Sequence, residues 1–229
     1  MDNVPTNEQD PAAPLAPKQQ RPEPLFNAPA IVLVLCGTLL ACHAALAFGL
    51  LQQDQIVDAY ALTSQSLAGH RWITLISYAF LHSGWMHLLV NTGFLLAFGT
   101  APARLFGDDL RGSAVFTAFF LVCGALAGLG YALVQTSHAW GIIGASGAVA
   151  GMAGVTARML NTNGRLGPPW GRPFFGMTAM WVLINVAIGL IGFDGQLVAW
   201  QAHLIGYAAG VGLIDIFWRL AGKREPITQ

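Results

Sequence analysis

The chain has 229 residues, 55% of them hydrophobic and 10% charged, whereas an ordinary soluble domain is about 45–50% apolar and about 25% charged. Eleven basic and eleven acidic residues cancel to a formal net charge of zero, so no positive field exists to hold a polyanion and nucleic-acid binding is excluded. The uncharged residues are contiguous: Ala30–Leu51, Trp72–Ala103, Gly112–Ala157, Pro173–Phe193 and Gly195–Ile214 contain no Asp, Glu, Lys or Arg, and about 20 such residues span a bilayer as a helix.

Residues 1–29 hold seven of the twelve prolines and no apolar stretch; they read as a disordered cytoplasmic tail. Span one is placed at 30–51, too long and too far into the chain for a signal peptide. Gln52–Arg71 follows outside, with enough apolar content (Ile56, Val57, Tyr60, Leu62, Leu67) to lie on the membrane surface as short helices. Spans two and three are placed at 79–100 and 112–134. The 46-residue uncharged stretch is interrupted at Gln135-Thr136-Ser137-His138, so span four is taken at 143–160 beyond a short polar loop. Asn161–Arg172, rich in Gly, Pro and Arg, is an inner connector. Spans five and six are placed at 174–193 and 197–219, and 221–229 form a cytoplasmic tail.

The domain over 30–220 is therefore all-α, a polytopic bundle of six transmembrane helices. Solid apolar runs, rather than an alternation over about ten residues, argue against a barrel. With the N-terminus in the cytoplasm, ten of the eleven basic residues lie on or next to the inner side and Arg71 alone lies outside, which fits the positive-inside rule. Cys36, Cys42 and Cys123 fall within spans and indicate no disulfide framework. The seven tryptophans mostly mark span ends, where indole rings favour the interface. No internal repeat of the transporter kind is present.

Spans two, four and six all run from outside to inside, and each carries polar residues near its outer end: His82, His87 and Asn91; Ser146; and His203. At a rise of 1.5 Å per residue Ser146 lies about 8 Å below Trp140 and His203 about 9 Å below Leu197, so they can meet at one level. His87 and Asn91, four apart, share a helix face. Gly147 and Gly151 in span four, and Ala202, Gly206 and Gly210 in span six, form small-residue ridges that let two backbones touch.

A serine hydroxyl within hydrogen-bond reach of an imidazole supports acyl transfer. His203 would take the proton of Ser146 as its oxygen attacks a peptide carbonyl, then return it to the leaving amine. The Asn91 amide, a His87 ring nitrogen and the Ser146 backbone N–H would stabilise the oxyanion. Asp215 lies about 18 Å deeper than His203 and Asp194 sits in the outer loop, so the arrangement is a dyad unless Asp194 folds back.

With His82-x4-His87-x3-Asn91 in span two, Gly144-Ala145-Ser146-Gly147 at the head of span four and Ala202-His203-x-x-Gly206 in span six, the sequence resembles the rhomboid family of intramembrane serine proteases, in its six-span bacterial form, over roughly 70–220. The resemblance implies Ser146 as nucleophile, His203 as general base, and an oxyanion site of His87, Asn91 and the Ser146 backbone, with Gly144 shaping the loop beneath. It further implies transmembrane protein substrates cut near the outer face, a bacterial inner-membrane location, and neither cofactor nor metal. Span five and the loop before span six would move to admit substrate, which Gly189, Gly192 and Gly195 would allow.

Three positions depart from the family pattern. Arg71-Trp72 stands in reverse of a common Trp-Arg pair in the first outer loop; Ala103 stands where Glu often precedes the arginine Arg104; and Ala150 stands where an aromatic ring often stacks on the histidine. Tyr207 and Phe94 are the rings left to take that place.

His82 reads either as a structural residue bonding loop backbone or as a direct participant. His43 and Asn185, without motif partners, read as helix-bundle glue. A hydrolytic metal site lacks a His-Glu-x-x-His string and an intramembrane carboxylate, and Gly192-Phe193-Asp194-Gly195 lacks the second aspartate of an aspartyl intramembrane protease. The principal alternative function is an inactive relative that binds transmembrane clients and regulates them. A transporter or channel would need a polar stripe through the whole membrane, whereas these polar residues cluster in the outer half. Substrate identity and oligomeric state are left open.

Overall fold

The computed structural model describes residues 28–135, 140–192 and 197–222. Among these the chain is helical almost throughout. Helix α1 covers Ala30–Ala47. The first outer segment then folds as α2 (Gln53–Tyr60), β1 (Leu62–Thr63), α3 (Ser64–Ala68) and α4 (Thr74–Ser77), ending in a 3-10 turn at Tyr78–Phe80. The remaining elements are α5 (Trp85–Phe106), α6 (Leu110–Val134), β2 (Gly141–Ile142), α7 (Ser146–Met159), α8 (Arg172–Ile191) and α9 (Trp200–Leu220). The tails at 1–27 and 223–229, and the loop positions Thr136–His138 and Asp194–Gly195, lie outside the described residues.

Four helices, α1, α5, α6 and α8, are long and apolar enough to cross a membrane, where the sequence alone led to six spans. Helix α7 is the reason for part of the difference. Its 14 residues reach about 21 Å at 1.5 Å each, less than the ~30 Å hydrocarbon core. Twelve of those residues are buried, because α5, α6 and α9 pack around it, so protein rather than lipid surrounds this short helix. Helix α9 has 21 residues and carries Asp215 and Arg219 toward its inner end.

Span two begins six residues later than the expected Ala79. The Tyr78 carbonyl accepts the Gly144 N–H at 2.9 Å and the Leu81 N–H at 3.2 Å, Leu81 is extended, and the helix starts only after Gly84. His82 therefore stands on the connection ahead of α5, not on the helix. At the other end Pro102 does not stop α5. Proline has no N–H for the carbonyl four residues back, and the Thr156 hydroxyl of α7 donates to that carbonyl, Phe98 O, at 2.9 Å.

The segment between α1 and α5 braces the approach to α7. Strand β1 pairs antiparallel with β2, Leu62 opposite Ile142 and Thr63 opposite Gly141, and Thr63 and Ser66 form a capping box at the start of α3. Arg71 Nη1 donates to the carbonyls of Asp58 and Ala59 at 2.7 and 3.3 Å, so it folds back onto α2. The Tyr78 hydroxyl donates to Gly124 O at 2.7 Å.

The rest of the bundle is locked differently. Phe106, Phe116, Phe119 and Phe120 are fully buried in one apolar cluster with Leu35, Leu39, Leu88 and Leu95. Buried Arg158 donates to Asp215 through two nitrogens, at 2.6 and 3.2 Å, and to Gly167 O at 2.8 Å. A bidentate guanidinium–carboxylate contact holds orientation as well as charge, and it fixes the C-terminal ends of α7 and α9 together.

Candidate active site

Helices α7 and α9 meet along their small-residue ridges. A Cβ at Gly206 would fall on the carbonyl oxygen of Gly147, and one at Gly210 on that of Gly151. Backbones this close are possible only where no side chain intervenes. A consequence is that short side chains on the two helices reach each other. Ser146 Oγ lies 2.8 Å from His203 Nε2.

Ser146 is the first residue of α7. Its own N–H and those of Gly147 and Ala148 have no partner within the helix, whose first bond runs from Val149 N–H to Ala145 O. Gly144, two residues earlier, has φ +117°, a conformation that glycine adopts without strain. A Cβ there would stand 2.7 Å from His87 Nε2 and 3.7 Å from Asn91 Nδ2. Both side chains thus face the backbone that leads into Ser146. Asn91 is buried and donates one amide hydrogen to His87 O at 3.0 Å. Ser83 Oγ lies 3.1 Å from His87 Nδ1; a hydroxyl donating to Nδ1 leaves the ring hydrogen on Nε2, the atom beside Gly144. The local arrangement can present several N–H groups to an oxygen that becomes negative near Ser146.

His82 is buried, with its ring centroid 5.1 Å from that of His87 and 6.4 Å from that of His43. Neither its ring nitrogens nor those of His43 have a hydrogen-bond partner among the described residues. His82 stands at the edge of the site, in ring contact with His87. Among the described residues, no group of three or more His, Cys, Asp or Glu is placed to hold a metal ion.

Asn185 corrects the sequence reading most. Its Oδ1 lies 2.7 Å from His203 Nδ1, while its Nδ2 donates to Trp181 O at 2.8 Å. A residue read as bundle glue is hydrogen-bonded to the imidazole that faces Ser146. The signal that could have found it is an amide in an otherwise apolar span, about two turns in from the outer end, since a polar group at that depth requires a partner. Ala150 has no ring, and neither Tyr207 nor Phe94 takes its place over His203. Tyr207 stacks on Trp181 at 5.7 Å and bonds Thr178 through its hydroxyl at 2.7 Å; Phe94 pairs with Phe98 at 5.8 Å.

Two of the glycines expected to free span five are among the described residues. A Cβ at Gly189 would fall on the Trp200 ring, so that glycine allows α8 and α9 to close at their outer ends. Gly192 has φ +84° and follows the last residue of α8.

A rhomboid domain model matches residues 69–220, a stretch that contains every site residue named above except His43. The chain has no match among curated proteins.

Proposed function

The chain belongs to the rhomboid family, and from that premise we propose that it is a serine endopeptidase that hydrolyses peptide bonds in or near transmembrane segments. As a family member it is a polytopic, helical integral membrane protein. The observation that carries the proposal is the 2.8 Å approach of Ser146 Oγ to His203 Nε2, with N–H groups gathered beside it.

In the proposed reaction Ser146 Oγ attacks the substrate carbonyl carbon while His203 Nε2 takes its proton. The oxyanion that forms is met by Ser146 N–H, Asn91 Nδ2 and His87 Nε2. Collapse breaks the C–N bond, and His203 returns the proton to the leaving amine. A water then attacks the ester, gives its proton to Nε2, and Ser146 leaves with that proton as a hydroxyl. No cofactor or metal is required for any of these steps.

Gly144 keeps His87 and Asn91 close to the attacked carbonyl, and Gly147 and Gly206 keep Ser146 and His203 within reach. Arg104, Arg111, Arg158, Arg165, Arg172 and Arg219 gather toward one end of the spans, which supports cytoplasmic termini and a site opening to the outer leaflet; the resemblance to the bacterial form supports a bacterial inner-membrane location. The substrate class is transmembrane protein.

Fluorophosphonate labelling of the purified protein tests the reading, beside Ser146→Ala and His203→Ala variants with intact folding. Labelling that is lost in both variants supports an activated serine. A folded wild type that neither labels nor cuts a transmembrane reporter in lipid would replace the protease with a client-binding, non-proteolytic relative.

A further inference from the structure

We propose that Asn185 is a positioning residue for His203: its Oδ1 holds the imidazole with the ring hydrogen on Nδ1 and the lone pair of Nε2 toward Ser146. The inference rests on the protease reading above and adds a third residue to it, supplied by a different helix.

The chemistry of the partners fixes the direction of each bond in turn. Trp181 O is a carbonyl and only accepts, so the amide group 2.8 Å from it is the NH2 of Asn185. That leaves Oδ1 facing His203 Nδ1 at 2.7 Å. A carbonyl oxygen accepts only, so Nδ1 must carry the hydrogen, and the neutral ring then has its lone pair on Nε2, 2.8 Å from the Ser146 hydroxyl. A backbone carbonyl thus sets an amide, the amide sets a tautomer, and the tautomer makes His203 a proton acceptor at the right atom. A histidine held by an amide oxygen in this way is the arrangement of cysteine proteases with a Cys-His-Asn set.

Burial makes the contact consequential. Asn185 is 5% exposed, and with Phe174 it is one of two buried residues on α8. A buried amide in apolar surroundings is costly unless satisfied, and His203 is the partner that satisfies its oxygen. The anchor is itself held. The Trp181 ring stacks on Tyr207 of α9 and meets Phe98 of α5 edge-on at 5.9 Å. Helix α8 is also the least enclosed of the four candidate spans, with 11% of its apolar window buried against 28–39% in the others. His203 therefore owes its setting to the helix that is held least by the rest of the bundle, and displacement of α8 would release the imidazole.

The test combines histidine nitrogen NMR with fluorophosphonate inactivation kinetics on the full chain, using wild type, Asn185→Ala and Asn185→Asp, and His203→Ala to assign the signal. Wild type is expected to show the hydrogen on Nδ1 of His203. Asn185→Ala is expected to lose that preference, and its maximal inactivation rate to fall about tenfold to a hundredfold with the half-saturating reagent concentration little changed. Asn185→Asp, which keeps an oxygen acceptor, should restore the tautomer and most of the rate. A wild-type His203 with its hydrogen on Nε2 overturns the proposal even if no variant folds. So does a folded Asn185→Ala protein with unchanged tautomer and rate. A wild type that shows the Nδ1 hydrogen but never labels removes the protease reading instead, and leaves the positioning contact standing.

Discussion

Gly206 of α9 lies against Gly147 of α7 so closely that a Cβ on the former would stand 2.1 Å from the carbonyl oxygen of the latter. The contact is one residue from Ser146 and three from His203, so the separation of the two helices at this level sets the hydroxyl–imidazole distance. Gly206→Ala is expected to push the helices apart, destabilise the protein by about 1–3 kcal/mol and abolish fluorophosphonate labelling. Gly212→Ala, on the same helix with open space around it, should leave labelling intact and raise stability slightly, as alanine favours a helix by up to about 1 kcal/mol. Thermal unfolding and labelling of the pair measure this; equal labelling in both would separate the ridge from the chemistry.

The backbone beside Ser146 offers a second measurement. Asn91→Ala removes one donor facing the Gly144 backbone, and removal of a single oxyanion donor lowers the rate about a hundredfold to a thousandfold. Gly144→Ala adds a methyl 2.7 Å from His87 Nε2 at a residue with φ +117°, so it displaces the ring and strains the backbone together. The expected order of peptide-cleavage rate is wild type, then Asn91→Ala, then Gly144→Ala. Little loss in Asn91→Ala would leave the oxyanion to His87 and the Ser146 N–H alone.

The proline in α5 yields a test of packing that does not involve the site. Phe98 O, deprived of an intrahelical partner by Pro102, accepts from Thr156 Oγ1 at 2.9 Å. Thr156→Val keeps the shape but leaves the carbonyl unpaired, at a cost of about 1–3 kcal/mol. Pro102→Ala supplies a backbone N–H for the same carbonyl. The double variant should therefore recover most of the stability that Thr156→Val loses, and strictly additive effects in unfolding experiments would show that Thr156 acts otherwise.

Uncharged runs located the five long helices and the short α7, and helical spacing put His87 beside Asn91 on one face and glycine against glycine between α7 and α9. These features are local or periodic, and a sequence displays them. The late start of α5 depends on Gly144 bonding back to Tyr78 O, a contact between residues far apart in the chain. The burial of α7 depends on which helices surround it, and hydropathy alone does not report that. Asn185 shows in the sequence only as an amide in an apolar span, and no local spacing joins it to His203, 18 positions away on the next helix.

The position of α8 can be tested directly. Phe98 and Trp181 meet ring to ring at 5.9 Å, so cysteines at these two places, joined by a short thiol cross-linker, would tie α8 to α5. The background must first lose its free thiols, Cys36, Cys42 and Cys123. Cys123 packs against Gly151, so alanine, being smaller, suits that position. On the protease reading a transmembrane substrate would pass between helices to reach Ser146, whereas a small fluorophosphonate would enter from the aqueous side. Cross-linking is therefore expected to abolish cleavage of a transmembrane reporter and to leave labelling within about threefold of the uncross-linked double variant, since the tie holds Asn185 at His203. Undiminished cleavage in fully cross-linked protein would show that substrate enters elsewhere. Loss of labelling together with cleavage would show that the tie has distorted the site, through the loss of the Trp181 ring that steadies α8 on Tyr207.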